Sequence, residues 1–200
     1  MDPQLSILIP SIPSRWNLST ALYGNLLTMA EGKEIEIIML TDNKKMTIGE
    51  KQNHLKNMCS GKYFCFLHDD DSLVSLDDIY QASLFDVDVI SFKAKCRNSD
   101  GSSYIVTQQL GNPVEHNSKD GRYLDMKRPP WTNCFWHSKF KEFSFPSISY
   151  SEDWEWVKQC LAVAKNSIHI DKTLFEYRFD ENVTEASTES NPYWTNPNNR

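Results

Sequence analysis

Phe66-Leu67-His68-Asp69-Asp70-Asp71 runs an apolar segment directly into three consecutive acids. Tyr63 to Leu67 reads as a strand buried on both faces, which puts the acids at its carboxyl end. Each carboxylate raises the free energy of its neighbours' ionised form, so three of them at a buried strand end call for a compensating cation. Hard oxygen donors favour Mg²⁺ or Mn²⁺, and Mg²⁺ is usually held by one or two carboxylates together with substrate phosphates. The segment therefore points to a nucleotide. A plainer role is open to part of it, because Asp71 and Ser72 are suited to cap a helix beginning near Ser75.

Outward from this segment the same apolar character recurs at Leu5 to Pro10, Ile35 to Leu40 and Val87 to Phe92. Helical spacing lies between these runs: Leu22, Leu26 and Met29 share one face over 18–29, and Ile48, Leu55 and Cys59 mark a second helix ending at Gly61. Leu76, Ile79, Tyr80 and Leu84 mark a third. Strand-helix-strand repetition predicts an α/β fold with a mostly parallel central sheet flanked by helices, and ligands in such sheets bind beyond the carboxyl ends of the strands. Asp100-Gly101 and Gly111-Asn112-Pro113 predict a hairpin excursion over 98–121, followed by strands at Cys134–His137 and Leu174–Phe179 and a helix over Glu152–Ala164. The expected organisation is one domain over 1–179, with a nucleotide-binding half (1–97) and an acceptor half (98–179). The polar residues of 180–200 predict an extended or disordered tail.

The chain has 200 residues, 40% of them hydrophobic, enough for a substantial core. A net charge of -6 disfavours a large polyanion as the main partner. Five cysteines without a Cys-x-x-Cys pair indicate neither a disulfide framework nor a thiolate zinc site. No apolar run reaches the roughly 18 residues of a membrane-spanning helix, and the N-terminus lacks the sectors of a signal peptide, so a cytoplasmic location is expected.

Other strand ends carry candidate chemistry. Pro10-Ser11-Ile12-Pro13-Ser14-Arg15 is a stiff loop after the first strand, suited to holding a flat base against fixed backbone groups, or an ordinary turn. Asp42, after the Ile35–Leu40 strand, accepts from a nucleobase amide or closes a turn with Asn43. Lys51 is placed to face a diphosphate or simply to be solvated. Ser149 to Glu155 forms a second acidic cluster, in which Ser149-x-x-Glu152 fits a capping box and the helix dipole stabilises acids of the first turn. Trp131, Trp136, His137, Trp154 and Trp156 are concentrated within 131–156; aromatic faces stack on sugars and bases, yet at least two of these tryptophans are expected to be core.

Taken in order, Ile7-Leu8-Ile9-Pro10-Ser11, Glu36 to Asp42, Asn53, Gly61-Lys62-Tyr63 leading into Phe66 to Asp71, and Ser151-Glu152-Asp153-Trp154 resemble family 2 glycosyltransferases of the GT-A fold. The likeness spans about residues 5–179. It implies sugar transfer from a nucleotide donor with inversion and with a divalent metal, Mn²⁺ or Mg²⁺. Carried over, Pro10, Ser11 and Asp42 hold the base, which favours UDP; Arg15, Lys51, Asn53 and Asp69 complete the donor site. The family's Asp-x-Asp falls at His68-x-Asp70 or at Asp69-x-Asp71, so Asp70 is the metal ligand common to most alignments, with Asp71 and His169 as further candidates. The Glu-Asp pair falls on Glu152 and Asp153, which makes Asp153 the general base. Two departures stand out: His68 replaces a usual acid, and Gln52 stands where arginine is frequent, leaving Lys51 to supply that charge.

The concentration of aromatics in the second half makes Trp131, Trp136, His137 and Trp154 the expected acceptor-binding residues. The expected acceptor is a saccharide or glycoconjugate, with a hydroxylated base of viral DNA as the alternative given the local charge of Lys127-Arg128. A nucleotidyltransferase is a weaker reading, because the 10–15 loop has no glycine. A non-catalytic sugar-binding domain is the remaining one.

Overall fold

The structure is a computed structural model that describes residues 2–115 and 125–178. The tail expected over 180–200, the domain boundary at 179 and the end of the 98–121 excursion lie outside the described residues. Three parallel strands open the chain. β1 (Leu5–Ser11) lies between β2 (Ile35–Thr41) and β3 (Tyr63–Phe66), with Leu5 opposite both Ile35 and Tyr63. α1 (Trp16–Ala30) and α2 (Ile48–Met58) make the two crossovers.

Side-chain alternation along β1 feeds two cores, one on each face of the sheet. Leu5, Ile7 and Ile9 pack with Leu22 and Leu26 of α1 and with Ile79 of α3 (Asp77–Ser83). Leu8 packs on the other side with Leu55 of α2 and with Trp156 and Val157 of α4 (Glu152–Val163). Gly61 is fixed by close approach: a Cβ there would lie 2.3 Å from Ser6 Oγ, which accepts the Gly61 amide at 2.8 Å.

After β3 the chain makes β4 (Ser72–Leu73), α3, β5 (Val89–Arg97), β6 (Ser103–Gln108), β7 (Met126–Arg128), β8 (Phe135–His137), α4 and β9 (Ser167–Arg178). The sheet order is β2-β1-β3-β8-β5-β6-β7, with β9 on β5 and β4. The sheet is mixed. β3–β8, β5–β8, β5–β6 and β4–β9 are antiparallel, while the parallel pairs β1–β2, β1–β3, β5–β9 and β6–β7 carry most of the matched residues. Asp100-Gly101 turns β5 into β6, with Gly101 at φ +83°.

Three local expectations are corrected. β9 begins at Ser167 rather than Leu174, because the register slips near Asp171–Lys172 and hides the alternation; both side chains point outward to ion-pair with Lys93 and Asp78. Asp71 and Ser72 do not cap α3: the Asp71 amide closes a turn on His68 O at 3.1 Å, Ser72 enters β4, and Ser75 Oγ accepts from Asp77 N at 3.2 Å. The capping box forms at Thr47 and Glu50 of α2, not at Ser149 and Glu152. All five cysteines are free and buried. Among the described residues no helix is long and apolar enough to cross a membrane.

Candidate active site

β1 and β3 end side by side, with Leu8 opposite Phe66, so the chain leaving each strand enters the same space. A one-turn 3₁₀ segment, Pro13–Arg15, begins with proline and carries Arg15 back toward the end of β3. Arg15 Nη1 donates to Asp69 Oδ1 at 2.7 Å, and Ser11 Oγ donates to Asp69 Oδ2 at 2.6 Å. Asp69 is buried, and these charge-assisted bonds compensate its carboxylate. Asp70 Oδ2 lies 3.6 Å from the same guanidinium nitrogen.

The acid trio divides by direction. His68, Asp69 and Asp70 line a cleft of about 250 Å³, whereas Asp71 is not in its wall. Burial, then Asp70 and Asp69, push the Asp71 carboxyl well above the usual carboxylate range. Its Oδ1 has no hydrogen-bond partner among the described residues. The neighbouring Tyr177 phenol is raised by burial and then by Asp71 and Asp70, which places the β9 terminus against the trio.

The opposite wall of the cleft comes from Ser149 to Asp153, with Ile48 and Lys51 of α2 alongside. Gly49 lets α2 sit directly on the 146–149 segment, since a Cβ there would lie 1.9 Å from Pro146 O. The Gly49 amide donates to Ile148 O at 3.0 Å and the Ile48 amide to Ser149 Oγ at 3.3 Å, so the Ser149 hydroxyl joins the two helices instead of capping α4. Ser151 takes a left-handed backbone (φ 61°), a strained choice for a non-glycine residue immediately before the two acids. Burial and then Asp153 push the Glu152 carboxyl up to about 8, so Glu152 enters the cleft protonated at neutral pH. Asp153 has an N–H on each oxygen: Trp131 Nε1 donates to Oδ2 at 2.7 Å and the Trp154 amide to Oδ1 at 2.7 Å.

The structure thus gathers Pro10, Ser11, Arg15, Lys51, Asp69, Asp70, Glu152 and Asp153 in one cleft. Asp42, Asn53, Trp136, His137 and His169 do not line it. Lys51 donates to Ser11 O at 2.7 Å and ion-pairs with Asp42. Asp42 Oδ2 also takes the amides of Lys45 and Met46, and these partners outweigh burial and hold its carboxyl low. Asp42 therefore closes the 42–46 turn and anchors Lys51. Asn53 is corrected from a donor contact to a pin, for its carboxamide donates to Phe145 O at 2.8 Å and accepts the Phe145 amide at 3.0 Å.

Trp136 is corrected likewise: it is fully buried in the second core, against Phe140 and Trp156. His137 pairs with Tyr63, at the amino end of β3 and remote from the cleft. His169 pairs with Ser91 and contacts its hydroxyl at 3.2 Å, while eight residues on, Tyr177 reaches the trio. Their partners on β5, Ser91 and Cys96, are five residues apart, roughly 17 Å at strand rise, so His169 is no partner of Asp70. Trp131 and Trp154 stack at 5.3 Å and 6° beside the acids, and Trp154 faces a second groove with Pro129, Val114 and Leu161.

Among the described residues no group of three or more His, Cys, Asp and Glu side chains is arranged to hold a metal ion. The cleft offers two carboxylates, Asp70 and, behind it on Arg15, Asp69, fewer ligands than a closed protein cage supplies. Sequence reasoning missed Tyr177 in the cleft wall and the Trp131–Asp153 bond. No local pattern signals either, because both arise from contacts between segments far apart in sequence.

No family model matches this sequence, and no curated protein does. Solved structures are similar. S. aureus TarS 1–349 in complex with UDP aligns at 15% identity and TM-score 0.61, covering 90% of this chain and 61% of that one. The same protein in complex with UDP-GlcNAc aligns at 14% and 0.62, covering 96% and 62%. A longer TarS structure aligns at 12% and 0.54, covering 90% and 37%. This chain therefore spans about three fifths of the TarS 1–349 structures it resembles. What it shares with them is the α/β architecture of a GT-A-like glycosyltransferase fold.

Proposed function

We propose that the protein is a metal-dependent, inverting glycosyltransferase that moves a sugar from a UDP-type donor to the hydroxyl of a saccharide or glycoconjugate. The observation that carries this reading is the convergence of Asp69–Asp70 and Glu152–Asp153, about eighty positions apart in sequence, on one cleft at the carboxyl ends of β1 and β3. The structures of similar fold captured with UDP and with UDP-GlcNAc favour a uridine diphosphate sugar.

In this reading the Pro10–Arg15 loop holds the nucleotide, and Arg15 faces its diphosphate. Asp70, with Asp69, would hold Mg²⁺ or Mn²⁺, which when bound neutralises charge on the departing diphosphate. Asp153 takes the proton of the acceptor hydroxyl while that oxygen attacks the anomeric carbon. The bond from the anomeric carbon to the diphosphate oxygen breaks, and UDP leaves with the electron pair. General-base assistance of this kind is worth roughly 10²- to 10⁴-fold. Protonated Glu152 supplies an O–H donor beside the reacting centre.

The test is a panel of nucleotide sugars with Mn²⁺, read as free nucleoside diphosphate, then repeated with saccharide and modified-DNA acceptors. UDP release that rises with a saccharide acceptor is expected, and Asp70→Ala should abolish metal-dependent donor binding by calorimetry. Release of pyrophosphate from a nucleoside triphosphate and a sugar phosphate would overturn the assignment in favour of nucleotidyl transfer.

A further inference from the structure

Trp131 is 22 residues before Asp153, on a different segment, yet its indole N–H meets the Asp153 carboxylate at 2.7 Å. We infer that Trp131 is a positioning residue for the general base, setting the rotamer of Asp153 through this bond rather than offering its ring to the acceptor. The inference rests on the transfer reading above and assigns that site a part which neither the acid pair nor the fold specifies.

The Trp131 ring stacks on Trp154 at 5.3 Å and 6°, and the Arg128 guanidinium carbon lies over it at 6.0 Å. The Trp154 ring occupies aromatic surface that a sugar would need. The backbone of Trp131 is fixed as well: its amide donates to Oε1 of buried Gln108 at 3.1 Å, and its carbonyl accepts Trp136 Nε1 at 2.9 Å and the Cys134 amide at 3.0 Å. An indole held this rigidly presents its N–H in one direction, and that direction is Asp153.

The carboxylate needs such a guide. Asp153 lies in the first turn of α4, where its own Cα is set by the helix but its χ1 and χ2 are not. The adjacent Trp154 amide at Oδ1 fixes one oxygen locally, and Trp131 fixes the other from across the fold. Each carboxylate oxygen accepts more than one hydrogen bond, so capacity remains for the acceptor hydroxyl. A base must lie within hydrogen-bond reach of the proton it removes, and errors of about 1 Å in such placement are costly in rate. Trp154 serves twice, giving its amide to the carboxylate and its ring to the indole that holds the other oxygen.

The test uses the full chain and the best-turned-over member of a panel of UDP-glucose, UDP-galactose and UDP-GlcNAc with Mn²⁺. Trp131→Phe keeps an aromatic ring on Trp154 and removes the N–H. It is expected to lower kcat by at least about tenfold with donor KM unchanged, and to leave the calorimetric Kd for UDP with Mn²⁺ within about twofold. In an Asp153→Asn background the same change should add no further loss, since residues acting as a unit are non-additive. The indole ¹H–¹⁵N resonance that Trp131→Phe deletes should move in Asp153→Ala, a readout independent of turnover.

An unchanged kcat in Trp131→Phe beside an active wild type overturns the positioning role alone. A loss that is additive with Asp153→Asn, or that appears equally in UDP binding and thermal stability, overturns it in favour of a structural role. A wild-type protein that turns over no UDP-sugar in the panel overturns the transfer reading, and the positioning role with it, whatever the indole resonance shows.

Discussion

Two pairs of tryptophans lie within 26 positions of one another and do opposite things. Trp136 and Trp156 are fully buried, meet edge to face at 5.6 Å, and give their indole N–H groups to backbone carbonyls, Trp131 O at 2.9 Å and Phe143 O at 3.2 Å. Trp131 and Trp154 stand half-buried in parallel contact, and the Trp131 N–H goes to a carboxylate. Trp131 thus differs from the buried pair both in exposure and in where its N–H goes. A backbone carbonyl satisfies a donor so that the ring can be buried. A carboxylate at the rim of a cleft is an ionisable group held in place.

That contrast yields a graded set of outcomes. Trp156→Ala opens the second core, where Trp156 stacks on Phe145 at 4.9 Å, and should cost about 3–5 kcal/mol in urea unfolding. Donor affinity of the folded fraction should stay unchanged; a cost below about 1 kcal/mol would erase the distinction between the pairs.

Glu152→Gln should stabilise the protein by several kcal/mol at pH 9 and by nothing near pH 4. The sign follows from the raised carboxyl: the unfolded chain loses this proton near 4.5 and the folded one near 8, so wild-type stability falls as pH rises through that window and is full below it. A difference between the two proteins that does not change with pH contradicts a protonated Glu152 in the cleft. The smallest effect belongs to His137→Ala. His137 touches Tyr63 edge-on at 5.4 Å, far from the acids, so turnover should remain within twofold and stability within about 1 kcal/mol.

Much of this was legible in the sequence. Continuous apolar runs gave the parallel half: β1 and β3 are buried on both faces and leave no polar face to disguise them, and the half-buried edge strand β2 keeps the same apolar character. The acids at 69–70 and 152–153 stood out because their charge is hard to explain at buried strand and helix ends. The failures share one physical origin. Asn53, Trp136 and His137 look the same in sequence whether they face a cleft or a neighbouring segment, and only the antiparallel placement of β8 and the approach of 143–146 to α2 decide it. His169 was misplaced because the irregularity at Asp171–Lys172 hid the length of β9, and with it the distance between that histidine and the strand end that meets Asp71.

The central claim is that Asp153 acts as the base for a donor held by the first-strand loop and Asp70. Its most direct test compares wild type and Asp153→Asn in two assays on the same preparation: calorimetric binding of UDP with Mn²⁺, and UDP release from the preferred UDP-sugar. UDP affinity within about twofold of wild type, with turnover reduced roughly 10²- to 10⁴-fold, is the predicted result. An Asp153→Asn protein that turns over at the wild-type rate would contradict the account.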